Sequence, residues 1–107
     1  YMDNCKKIIE TRRYLTDALI SLGFECTDSQ TNFVFAKHPK LEGGQLYLAL
    51  KRMGILVRHF DKEEISEYNR ITVGSLTEMQ TLLQEIKNIL EERILLNLLL
   101  QVEEILL

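Results

Sequence analysis

Gly23, Gly54 and Gly74 cut this chain into segments whose apolar spacing alternates between helical and extended. Ahead of Gly23, the residues Ile8, Ile9, Leu15, Ala18, Leu19 and Leu22 fall on one face of a helix expected over residues 3–22. Glycine tolerates the left-handed backbone that follows a last turn, so Gly23 stops that helix. Residues 24–27 read as a short strand and Asp28-Ser29-Gln30 as a turn of hydrogen-bonding side chains. The run NFVFAK at 32–37 is a strong strand, dense in aromatic and β-branched residues. Pro39 and the pair Gly43-Gly44 mark a loop, Gly43-Gly44 reading as a flexible turn rather than a phosphate cradle. A second helix is expected over 45–53, with Leu46, Leu48, Ala49 and Leu50 inward, ended by Gly54. Residues 55–57 begin another strand, 59–69 form a polar loop, and RITV at 70–73 is a strand closed by Gly74-Ser75. Ser75 or Thr77 caps a last helix through Leu82, Leu83, Ile86, Ile89 and Leu90, with Glu78 in its first turn, where a negative charge suits the helix dipole.

The element order is therefore α-β-β-α-β-β-α. It predicts a two-layer α/β (α+β) sandwich with helices on one face of a small mixed or antiparallel sheet and a long C-terminal helix. With 107 residues there is room for one core and not for two. A net charge of -3 with interspersed signs argues against nucleic acid, whose phosphates call for a basic face. The cluster Lys6, Lys7, Arg12 and Arg13 alternates with Asp3, Glu10 and Asp17, as on a solvated helix surface. Cys5 and Cys26 lack metal-ligand spacing and suit a reducing cytoplasm as free thiols. No stretch reaches the ~18 apolar residues of a membrane span. His38 and His59 each stand alone in polar sequence and read as solvated, so no metal site is expected. The opening Tyr1-Met2 reads as an excised or engineered segment.

Three stretches in order carry a family pattern: LGF followed by S-x-TNFVFAK (22–37), KRMGILVR (51–58) and RITVGS (70–75). Together they resemble the C-terminal small domain of histidinol-phosphate aminotransferases, fold-type I enzymes that use pyridoxal phosphate (PLP). Relatives that act on aromatic amino acids or decarboxylate threonine phosphate share much of the pattern. The resemblance implies that Arg70 clamps the carboxylate side of the substrate or its equivalent, and that Arg58 helps bind its phosphate tail. An arginine at a strand edge suits this work, because its planar fork makes two parallel bonds to an oxyanion. Ordinary surface ion pairing is the competing reading for both, above all for Arg58. Asn32 is expected to be a turn or cap residue.

In the family the resemblance points to, the lysine and ring-binding groups that hold the cofactor lie in a large domain. No Ser-x-x-Lys segment occurs in this chain. The resemblance thus implies a fragment with no catalytic residues and no cofactor of its own, PLP belonging to the parent enzyme, and inactivity alone. Two parts are expected: residues 1–92 as the small domain and 93–107 as a leucine-rich helical extension. In the extension Arg93, Asn97, Gln101 and Glu104 form a narrow polar stripe, and nearly everything else is aliphatic. A heptad started by Leu82, Ile86 and Ile89 fails at Arg93 and Glu103. The extension can fold back over surface left bare by a missing domain, pair with its copy in a homodimer, or offer Leu95-Leu96-Asn97-Leu98-Leu99 to a hydrophobic groove. Homodimerisation is placed first, and the alternative function is an engineered scaffold or interaction module built on that helix.

Overall fold

Both helix-stopping glycines adopt the same closing motif. Helix α1 (Met2–Ser21) ends where Gly23 takes φ 97°, letting its N–H reach the Ile20 carbonyl and the Phe24 N–H reach the Leu19 carbonyl, each at 3.0 Å. Helix α2 (Gly43–Arg52) ends likewise: Gly54 takes φ 80°, and Ile55 N–H donates to the Leu50 carbonyl at 2.9 Å. In each case the residue after the glycine is apolar and turns back onto the core, so the chain leaves the helix toward the sheet.

The computed structural model describes residues 2–30, 32–60, 62 and 65–106. Between and after those helices lie β1 (Glu25–Gln30), β2 (Phe33–Lys37), β3 (Arg58–His59), β4 (Asn69–Thr72) and α3 (Leu76–Leu106). The order is the expected one. The four strands form one sheet, β1-β2-β4-β3, and every pairing is antiparallel, which decides between the mixed and antiparallel alternatives. Helix α1 packs on β1, β2 and α3, while α2 packs on α3 and β3.

Burial alternates along the central strands as it must when one face is covered. Val34 and Ala36 of β2 and Asn69 and Ile71 of β4 are buried on the helix side. They join Leu15, Leu19, Leu46, Leu50, Met79, Leu82 and Ile86 in one core. Phe33, Phe35 and Lys37 point to the other face and are only partly buried. No helix among the described residues covers that face.

Helix α3 begins with a reciprocal cap. Glu78 N–H donates to Ser75 Oγ at 3.1 Å, and Ser75 N–H donates to Glu78 Oε1 at 3.0 Å, so Ser75 rather than Thr77 is the cap. The helix then runs unbroken for 31 residues. Its later part is exposed, with Leu95 at 58 % and Ile105 at 82 %, and does not turn back onto the sheet. No helix among the described residues is long and apolar enough to cross a membrane.

Several expectations are corrected. Residues 55–57 alternate in burial, with Leu56 out and Ile55 and Val57 packed on the core, yet form no ladder; β3 is Arg58–His59 instead. Asp28-Ser29-Gln30 is not a turn but the end of β1, where the register shifts between Thr27 and Gln30 before Gln30 pairs with Phe33. Gly43-Gly44 is no flexible turn: the pair opens α2, and a Cβ on Gly43 would lie 2.7 Å from the carbonyl oxygens of Ser66 and Glu67. Asn69, placed in the polar loop, is a strand residue 1 % exposed, its Nδ2 donating to the Gly43 carbonyl at 2.9 Å. That bond ties the start of β4 to the start of α2, adding a second donor to a carbonyl that opens the helix ladder.

Candidate functional site

The sheet face that the helices leave open collects the chain's predicted site residues. Arg58 and Arg70 stand directly opposite each other in the β3–β4 ladder, and Arg70 in turn stands opposite Phe35 of β2 and, through it, Thr27 of β1. These four residues make one row across the sheet on its open side. The two arginines come from stretches twelve positions apart in the chain, and the antiparallel register brings them together.

Like charges directly opposed in a sheet are unfavourable. Two features ease the conflict. The Arg70 guanidinium carbon lies 5.3 Å from the Phe33 ring centroid, and that of Arg58 lies 5.2 Å from the Phe60 centroid, each within cation–π range. Phe35 binds the rings together, with Phe33 edge-on at 5.6 Å, Phe60 stacked at 5.9 Å and Tyr68 edge-on at 6.3 Å. The aromatic wall holds the guanidinium planes in place without neutralising them.

Neither arginine makes an ion pair among the described residues, and Arg70 Nε is buried without a hydrogen-bond partner among them. The third cation of the face differs. Lys37 Nζ lies 3.6 Å from Glu25 and 3.8 Å from Glu67, and 5.1 Å from the Tyr68 centroid. The Glu25 carboxylate, seconded by Tyr68, raises the lysine above its ordinary range. Among the described residues, positive charge on this face that no carboxylate compensates is therefore concentrated at Arg58 and Arg70, whose guanidinium groups present their donors as a fork. Such a pair can hold a carboxylate or a phosphate bidentately against a flat aromatic floor.

The histidines lie elsewhere and are not solvated as expected. His38 has Nε2 at 3.0 Å from the Leu22 carbonyl, accepts the Lys40 N–H on Nδ1 at 3.1 Å, and packs edge-on against Phe24 at 4.9 Å. It clips the loop after β2 to the end of α1. His59 lies on the helix side of β3, stacked 5.8 Å from Tyr47. No group of three or more His, Cys, Asp or Glu able to hold a metal occurs among the described residues. Cys5 and Cys26 are free, and burial pushes the Cys26 thiol up, which keeps it protonated. Asn32 lies at the turn before β2, as expected, and its main-chain carbonyl accepts the Val73 N–H at 2.8 Å.

The aromatic floor is the part that sequence reasoning missed. NFVFAK reads as a strand, but the alternation Phe33-x-Phe35-x-Lys37 also puts two rings and a cation on one side. With RIT opposite, that parity is a usable signal. Phe60 and Tyr68 carry no such mark, since both sit in polar sequence.

Most of the chain is similar to known proteins. The family profile described as aminotransferase class I and II matches residues 1–86. A histidinol-phosphate aminotransferase of Lactococcus lactis subsp. lactis is 41% identical over 92 residues, covering 86% of this chain and 26% of that protein. One from Chromohalobacter salexigens is 42% identical over 88 residues, covering 81% of this chain and 25% of that protein. The chain thus spans about a quarter of the length of these relatives. In fold it is similar to the crystal structure of L-threonine-O-3-phosphate decarboxylase from Porphyromonas gingivalis, with TM-score 0.61 and 22% identity over 77% of this chain and 27% of that one.

Proposed function

The chain belongs to the class I and II aminotransferases, and from that premise we propose that it is the small-domain part of a histidinol-phosphate-type transaminase site. Its open face supplies half of a substrate clamp. Arg70, central in the sheet and backed by Phe33, holds the carboxylate side of the substrate or its equivalent. Arg58, across the ladder and nearer solvent, takes the phosphate end. The observation that carries this reading is the direct opposition of the two arginines over an aromatic floor. Identity with histidinol-phosphate aminotransferases over most of the chain supports the choice of substrate class.

PLP is the cofactor of the parent reaction; when bound it acts as the electron sink that lets an amino group leave one carbon and join another. The residues of this face do not suit it as a resident group. A covalent hold on the cofactor needs a neutral lysine amine, whereas the strand lysine of the face, Lys37, is kept protonated by Glu25 and Glu67. On this reading the chain binds and orients substrate and carries out no transamination alone. A PLP titration at neutral pH is expected to give no absorbance band of lysine-bound cofactor, and a saturable band would contradict the assignment.

The clamp is tested by grafting residues 1–92 onto the larger part of the Lactococcus relative in place of its matching quarter. Transamination of histidinol phosphate is expected, and Arg70→Lys in the chimera should lower kcat/KM on the order of 100-fold, because an ammonium loses the bidentate hold. An active chimera indifferent to Arg70 would overturn the role given to it.

A further inference from the structure

The two arginines of the open face are not held alike. Arg70 lies inside β4, which pairs with β2 on one side and β3 on the other, and its ring partner Phe33 is itself a ladder residue opposite Thr72. Arg58 belongs to a strand of two residues, and residues 55–57 before it form no ladder. Its ring partner Phe60 lies past the last rung, because the pairings of β2 and β3 with β4 both end at Asn69. Phe60 and Tyr68 flank the segment that joins β3 to β4. Ring contacts with Phe35, outside the ladder, set them on the sheet.

One strand residue reaches across to that segment. Lys37 is still paired in β2, opposite Glu25 of β1, yet its Nζ lies 3.8 Å from the Glu67 carboxylate and 5.1 Å from the Tyr68 ring centroid. Among the described residues no other ion pair crosses from the sheet to this segment. We propose that Lys37 is a positioning residue for Arg58: by drawing Glu67 and Tyr68 onto β2, it keeps Phe60 stacked on Phe35 and so fixes the plane of the Arg58 guanidinium. The role rests on the clamp reading given above. Under it the clamp has one jaw set by the sheet, at Arg70, and one set from outside the ladder, at Arg58. Lys37 acts through Phe60 rather than on the ligand. Glu67 is 74 % exposed, and an exposed ion pair is weak, so losing it costs a few-fold in ligand binding and not the whole of it.

Charge alone and positioning predict opposite signs for one variant. Glu67→Gln removes a negative charge near an anion site, which by Coulomb attraction alone strengthens anion binding. If Lys37 works through Glu67, the same change loosens Phe60 and weakens binding. Titration of the full chain with inorganic phosphate, read at the amides of residues 58–60 and 69–72, separates the two. Glu67→Gln and Lys37→Met should each raise the apparent Kd about two- to fivefold, and Lys37→Arg, which keeps the charge, should bind as the unaltered chain does. Without ligand, the Phe60 amide signal should move in the two weakened variants while that of Ile71 stays in place, showing an intact sheet. Phosphate that moves none of these amides in the unaltered chain overturns the clamp and this role with it. Binding that Glu67→Gln strengthens, or that Lys37→Met leaves unchanged, overturns the role of Lys37 and leaves the clamp standing.

Discussion

At the scale of single residues, the chain shows how neighbours decide what a charged side chain can do. Lys37, Arg58 and Arg70 share one sheet face, but carboxylates engage only the lysine among the described residues. Arg70 was legible as a candidate because it opens an apolar strand within RITVGS, although its place opposite Arg58 was not. Phe60 and Tyr68 were not, since their role depends on a loop folding back over β2, which no local pattern announces. Asn69 escaped for a related reason: a polar residue in polar sequence looks solvated until the fold brings its amide onto the Gly43 carbonyl. Asn69→Ala is expected to cost about 1 kcal/mol in denaturant unfolding, the net worth of one hydrogen bond. Gly43→Ala should cost about 1–3 kcal/mol, because its Cβ would press on the Ser66 and Glu67 carbonyls.

At the scale of elements, helices were readable nearly to their ends and strands were not. Gly23 and Gly54 mark true helix stops because both need positive φ, a demand visible in the residue type itself. They differ in surroundings. A Cβ on Gly54 meets nothing within 4 Å, so Gly54→Ala should cost only the left-handed strain, about 1–2 kcal/mol. On Gly23 a Cβ would lie 2.8 Å from His38 Nε2, so Gly23→Ala should cost more and loosen the loop after β2 as well. Strand β3 was misplaced because burial and pairing part company there: Ile55 and Val57 satisfy the apolar pattern, while the ladder forms one step later at Arg58 and His59. The cap of α3 carries a pH dependence with a definite sign. The main-chain N–H of Ser75, and then its hydroxyl, hold the Glu78 carboxyl below the usual carboxylate range. A folded-state value below the unfolded one adds stability at neutral pH that is lost as pH falls through the acid range below about 4. Glu78→Gln is therefore expected to flatten the acid side of the thermal-midpoint profile, and Ser75→Ala to cost about 1 kcal/mol at pH 7.

On the scale of the whole molecule, one layer of helices closes one side of the sheet and leaves the other open. The layer order could be read from the alternation of apolar periods, and the antiparallel register then aligned Arg58 with Arg70, which no single stretch encodes. The central claim is that the open face is a substrate clamp, and amide NMR shifts under titration with histidinol phosphate test it most directly. Shifts should be confined to residues 33–37, 58–60 and 68–72, weaken as salt is raised, and need roughly tenfold more ligand after Arg70→Lys. Shifts spread over α1 or α3, or a titration unchanged by Arg70→Lys, would contradict it.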